Sequence, residues 1–257
     1  MTAVTRQDQN QCAILTLNRP EVRNAMNDDI VSGLERHLDT IDGDNTRAII
    51  ITGEGKGFCA GTDLKEMLAL GYEGYQQRIE RMHNLFKRLR EHRCISIAAV
   101  HGAALGGGTE LAAACTFRIA TPSALFGLPE ILLGVMPCYG GTQTLTRLIG
   151  ESRALELMLT GRTLDSAEAL GIGLINRIAD ADQDIMAAAL GFAGETTRFS
   201  SVAQQAIRRA ATSALDLPFE DGLDAEKNQA AIVFASEDAR EGVSAFLEKR
   251  QATFRDR

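Results

Sequence analysis

The sequence predicts an α/β protein with a mainly parallel sheet. Short apolar runs read as strands at Ala13–Leu17, Ala48–Thr52, Ile95–Val100 and Phe117–Ala120. Helix-patterned segments separate them. Glycine-bearing turns follow two of the runs, as strand-to-helix junctions require. A chain of 257 residues suffices for one large domain, or a domain with an appendage.

Ala13–Leu17 alternates in the manner of a strand, and Asn18-Arg19-Pro20 breaks it. Asn27 or Asp28 is placed to cap a helix running from Ile30 through Leu38 to Ile41. Ala48–Thr52 reads as a buried strand, ended by the glycine-rich stretch 53–57. Phe58-Cys-Ala-Gly-Thr-Asp63 leads to a helix from Leu64. A long helix over 75–92 repeats Ile79, Met82, Leu85, Phe86 and Leu89 at helical spacing. Its basic residues, Arg78, Arg81, Lys87, Arg88 and Arg90, read with Arg93 as a solvated face; the alternative is an anchor for a polyanionic ligand such as a nucleotide tail. Strand Ile95–Val100 feeds the turn Gly102-Ala-Ala-Leu-Gly-Gly-Gly-Thr-Glu110, and the small-residue run Leu111–Ala114 reads as helix. After about residue 150 helices dominate, at Arg153–Leu159, Ser166–Leu170, Ile185–Phe192, Ser201–Ala214, Glu220–Ser236 and Asp238–Lys249. No long linker precedes them, so this part reads as a covering or oligomerising appendage.

Composition narrows the function classes. A net charge of −7 leaves no footprint for nucleic acid. No apolar run is long enough to span a bilayer, and the N-terminal stretch has no signal-peptide pattern. Cys12, Cys59, Cys94, Cys115 and Cys138 are scattered and form no Cys-x-x-Cys pair, which predicts reduced thiols in a cytoplasmic protein. The four histidines have no metal-ligand spacing, and no Gly-x-Ser-x-Gly elbow occurs.

The turn at 102–110 carries the chemistry. Consecutive glycines let a backbone approach a ligand closely, and N–H groups at a helix start favour an anion or a developing oxyanion. A triphosphate loop is excluded because Gly108 stands where that loop needs lysine. A second turn, Ala60-Gly61-Thr62, follows another strand. Parallel neighbouring strands would bring both turns to one sheet edge, where two N–H groups could form an oxyanion hole. Glu110 follows the first turn directly. Glu130, after Pro129 and among apolar residues, should hold a raised pKa suited to a proton donor. Two carboxyls in different surroundings can divide acid and base work. Read singly, each is also an ordinary helix-start glutamate.

The stretches Asn18-Arg-Pro-Glu-Val-Arg-Asn-Ala-Met26, Phe58–Met67, Gly102–Glu110, Phe126–Gly134 and Gly140-Gly-Thr-Gln143 occur in this order. So do Leu159-Thr-Gly-Arg162, Ala167–Ile175 and Glu241–Arg250. With them the chain resembles the crotonase, or enoyl-CoA hydratase/isomerase, family over nearly its whole length. The resemblance implies a crotonase-like spiral of ββα units over residues 1–195 and a C-terminal helical trimerisation region over 196–257. It implies hydration of a 2-enoyl-CoA in fatty-acid or related acyl-CoA degradation, by a homotrimer or homohexamer, with no metal or redox cofactor. Related outcomes of the same enolate chemistry are double-bond isomerisation and dehydration of a specialised hydroxyacyl-CoA; a subunit that only binds acyl-CoA is the non-enzyme reading.

By the same resemblance, the N–H groups of Thr62 and Gly107 hold the thioester oxygen, Glu110 activates the water that adds at C3, and Glu130 exchanges the proton at C2. Arg23, Ala25 and Lys65 match positions near CoA, and Ala60, Asp63 and Leu64 complete that stretch. Phe246 and Lys249 match a C-terminal pair that reaches a neighbouring subunit's CoA. One stretch departs from the pattern: small residues usual in hydratases are replaced by Cys138 and Tyr139. There Tyr139 either contacts the acyl group or packs in the interior.

Overall fold

The computed structural model describes residues 2–257; Met1, where the stretch read above for a leader begins, lies outside them. The described residues form nine strands: β1 (Val4–Gln9), β2 (Cys12–Leu17), β3 (Ala48–Gly53), β4 (Ile95–Val100), β5 (Ala103–Leu105), β6 (Phe117–Ala120), β7 (Leu125–Gly127), β8 (Thr163–Asp165) and β9 (Arg177–Ile178). The helices of the first part are α1 (Asp28–Asp42), α2 (Leu64–Ala69), α3 (Gly71–Glu91), α4 (Gly107–Ala114), α5 (Gly141–Ile149), α6 (Glu151–Thr160), α7 (Ser166–Gly171) and α8 (Ile185–Thr197). Then follow α9 (Ser201–Ser213), α10 (Phe219–Ala235) and α11 (Glu237–Leu247).

A six-stranded sheet runs β1-β2-β3-β4-β6-β9, and a three-stranded sheet runs β5-β7-β8. Only β1 pairs antiparallel in the larger sheet, and only β8 in the smaller. Successive strands β4 and β5 enter different sheets, as do β6 and β7, each pair followed by helix or 3-10 turn. This is the ββα spiral. All six residues of β3 and of β4 are buried. Their alternate side chains feed two cores. Ile49, Ile51 and Ala98 join the one that includes α1, α3 and α4; Ile50, Ile97 and Ala99 join Ile185, Ala189 and Phe192 of α8.

Three expectations are corrected. Ala13–Leu17 does not alternate in burial: β2 lies between β1 and β3 and is covered on both faces, Thr16 being its one half-buried residue. Helix α4 begins at Gly107, not Leu111, because Gly106 turns the chain at φ 52° and its carbonyl accepts from the Glu110 N–H at 3.1 Å. Glu110 therefore sits in the first helical turn. The basic side chains of α3 are not a uniformly solvated face. Arg78 is buried, and its guanidinium reaches Asp28, Glu66 and the Met26 carbonyl; Arg81 pairs with Asp28 and Glu35, and Arg88 with Asp39 and Asp42. These charges fasten α3 to α1 and α2.

The chain divides into two compact units, Met1–Ala193 and Gly194–Arg257. In the second, Ser200 and Ser236 cap α9 and α11 with their side-chain oxygens. Phe219, Phe234, Phe246 and Leu247 stand exposed on α10 and α11.

Candidate active site

The two glycine turns meet. A Cβ built on Gly61 would lie 3.3 Å from the Gly107 nitrogen and 2.8 Å from the Leu105 carbonyl oxygen. Gly61 has φ 101°, so a larger residue there would face both strain and collision. Gly108 is as tightly bound: its added Cβ would lie 2.2 Å from the Cys59 carbonyl oxygen. Thr62 and Met26 form an isolated parallel bridge, with the Met26 N–H donating to the Gly61 carbonyl and the Asp63 N–H to the Met26 carbonyl. The Gly107 N–H belongs to the first turn of α4, which has no acceptor of its own. Among the described residues no hydrogen bond from the Thr62 or Gly107 N–H to another residue is found.

Glu110 is buried, and its Oε1 accepts from the N–H groups of Tyr139 at 2.9 Å and Gly141 at 2.7 Å. Gly141 is needed at that approach, since its Cβ would stand 2.7 Å from the same oxygen. Burial pushes the Glu110 carboxyl up to about 7, with the nearby Glu130 charge adding to the rise and the Gly141 and Tyr139 N–H groups opposing it. Glu130 sits in the 3-10 turn Pro129–Leu133. Its Oε1 packs over Gly106, whose Cβ would lie 2.9 Å away, and its Oε2 is buried with no hydrogen-bond partner. Burial raises this carboxyl as well, against the pull of its own backbone N–H. Two carboxyls that sense each other thus flank the paired turns, one over Gly106 and the other at the start of α4.

The remaining predicted positions of the first unit form a strip. The Ala60 N–H donates to the Arg23 carbonyl at 2.9 Å, which ties 23–26 to 60–63. Arg19 donates to the Ala25 carbonyl and to Asp63 Oδ2, at 2.7 and 3.0 Å. Asp63 Oδ1 caps α2 by accepting from the Lys65 and Glu66 N–H groups. Against its partial burial, Arg19 and those N–H groups hold the Asp63 carboxyl below its ordinary value. Leu64, Lys65 and Arg23 are exposed along this strip. Phe246 and Lys249 belong to the second unit, both exposed, with Lys249 at φ 54° just after α11.

The enoyl-CoA hydratase/isomerase profile matches residues 7–257. The chain belongs to the enoyl-CoA hydratase/isomerase family. It is 41% identical to a probable enoyl-CoA hydratase of Rhizobium meliloti, over 97% of this chain and 96% of that protein. It is 37% identical to the 2,3-dehydroadipyl-CoA hydratase of Escherichia coli, over 97% of each chain. Its fold is similar to the crystal structure of an enoyl-CoA hydratase from Bacillus anthracis, with a TM-score of 0.94, 33% identity and coverage of 99% of this chain and 100% of that one.

Within this family member, Tyr139 is only 2% exposed, and its ring meets Phe86 edge-on at 6.3 Å between centroids. Its neighbour Cys138 is half-buried and lies 3.2 Å from the Tyr75 hydroxyl of α3. The His83 ring contacts the Cys138 carbonyl at 2.8 Å. Sequence reading missed Tyr75, Arg78 and His83 as neighbours of the site. Their spacing along α3 was the available signal, since Tyr75, Arg78 and Phe86 recur near the helical period.

Proposed function

We propose that this protein adds water across the 2,3-double bond of an acyl-CoA thioester, reversibly, as a hydro-lyase. The supporting observation is the juxtaposition itself: two raised carboxyls beside two backbone N–H groups on touching turns. In this reading the Thr62 and Gly107 N–H groups donate to the thioester oxygen, withdrawing electrons from C3. Ionised Glu110 takes a proton from water as the oxygen adds to C3. Negative charge then builds on the thioester oxygen, where each backbone donor contributes on the order of 3 kcal/mol to the transition state. Protonated Glu130 delivers its proton to C2, completing the addition of one water. Proton exchange between the two acids and solvent restores the starting state. These steps draw on no metal or redox cofactor.

The CoA moiety runs along Arg23, Ala25, Ala60 and Asp63–Lys65, with Phe246 and Lys249 serving a neighbouring subunit's ligand. The assembly is a trimer or a dimer of trimers, a reading supported by the exposed apolar side chains of α10 and α11. The protein is cytoplasmic and takes no nucleic acid or membrane partner. In support of the cytoplasmic reading, no disulfide joins the five cysteines among the described residues; among the same residues no helix is long and apolar enough to cross a membrane.

A panel of purified acyl-CoAs analysed by mass tests the reaction class. Crotonyl-CoA gaining the mass of one water is the expected result. A shifted double bond at constant mass would replace hydration with isomerisation, and bound but unchanged acyl-CoAs throughout would leave a binding subunit.

A further inference from the structure

The roles above use the main chain of Tyr139 and give its side chain nothing to do. That hydroxyl is buried and meets no partner with hydrogen-bond geometry, although it faces Thr62 and Arg78. A buried hydroxyl held short of a full hydrogen bond contributes little to the fold, so phenylalanine would fill nearly the same volume at little cost. The ring is also pressed against one of the two donors. A Cβ built on Gly107 would come within 3.1 Å of Tyr139 Cδ2 and 3.3 Å of Cε2, and within 2.7 Å of the Met26 methyl. Met26 in turn pairs through its backbone with Thr62, the other donor. Phe86 fixes the tilt of the ring, and Arg78 donates to the Met26 carbonyl from behind. One residue thus packs on the Gly107 turn with its ring, faces Thr62 with its hydroxyl and holds Glu110 with its N–H.

We propose that the Tyr139 side chain is a positioning residue that sets the spacing of the Thr62 and Gly107 N–H groups, its hydroxyl donating to Thr62 Oγ1 once a thioester oxygen draws the two turns together. This rests on the reading of those N–H groups as the oxyanion hole. In the free protein the hydroxyl lies by Thr62 and Arg78 but short of full hydrogen-bond geometry, so a bond completed in the complex acts on the reaction rather than on the fold. Tyr139 acts through Thr62 and does not itself touch the reacting atoms.

Tyr139→Phe separates this role from plain packing. The expected variant melts no lower than the parent, keeps its KM for crotonyl-CoA within about twofold, and loses about tenfold in kcat. A second readout is independent of turnover: acetoacetyl-CoA, a β-keto thioester, ionises to an enolate in a competent hole and gains near-ultraviolet absorbance. Tyr139→Phe should bind it with a smaller enolate fraction. Thr62→Val, which keeps the N–H and removes Oγ1, should lower kcat similarly, and the double variant should be no worse than either single one. Parental kcat and enolate fraction in Tyr139→Phe would overturn the proposal. So would additive losses in the double variant, or a kcat loss matched by a lowered melting temperature. If the parent ionises acetoacetyl-CoA without hydrating crotonyl-CoA, the hydratase reading fails while the enolate fraction still decides the role of Tyr139. A parent that forms no enolate removes the hole and this proposal together.

Discussion

Glu110 is held by opposed effects: burial and a neighbouring carboxyl raise its proton affinity, and two backbone donors restrain the rise. With its folded-state pKa raised from 4.5 to about 7, the native state keeps a proton that the unfolded chain has released. Stability from this group therefore falls as pH rises from about 4.5 to about 7 and is level above that. The full loss is about 3 kcal/mol. Glu110→Gln should accordingly melt higher than the parent at pH 8, with the gap closing toward pH 4; a variant that melts lower across that range would contradict the assignment. The same carboxyl must be ionised to take a proton from water. Activity is expected to rise with pH through about 7 as Glu110 ionises, while ionisation of Glu130, whose carboxyl burial also raises, opposes that rise, the profile belonging to the coupled pair. A rate independent of pH between 6 and 8 would show that neither group is the base.

At the scale of elements, the turns matter more than the helices they join. Asp63 caps α2 and binds Arg19, which also holds the Ala25 carbonyl. Asp63→Ala should cost about 1 kcal/mol through the lost cap alone and raise KM for CoA esters more than it lowers kcat. Thermal melting and steady-state kinetics check this, and unchanged values for both would remove the strip from the binding site. These elements also mark how far the sequence was legible. Strands β3 and β4 stood out because apolar runs bounded by glycine and polar residues leave few alternatives. The smaller sheet was missed because β5, β7 and β8 have three residues each, too short for a period to show. The start of α4 was misread because glycines at 106–108 look like loop, yet the Gly106 turn commits Gly107 to helix. Glu110 and Glu130 were found from local chemistry and family motifs. For Tyr139 the sequence offered interior packing beside acyl contact; the burial agrees with packing, and the partners that bring it about, Phe86 and Arg78, lie on α3 more than fifty residues earlier in the chain.

At the scale of the molecule, the second unit carries Phe219, Phe234 and Phe246 exposed on its last two helices, an arrangement suited to contact with further copies of the chain. Light scattering should give a mass three or six times that of the chain, and Phe234→Asp should shift it toward the monomer; a monomeric parent would refute the assembly. The proposed hydration needs only residues of the first unit for its chemistry, two carboxyls that would share one thioester. The most direct test is the rate of crotonyl-CoA hydration by the parent, Glu110→Gln and Glu130→Gln, each verified as folded by its melting transition. The parent should form 3-hydroxybutyryl-CoA, and each variant should be slower by about a hundredfold or more. Either variant hydrating within tenfold of the parent would contradict the two-carboxyl mechanism.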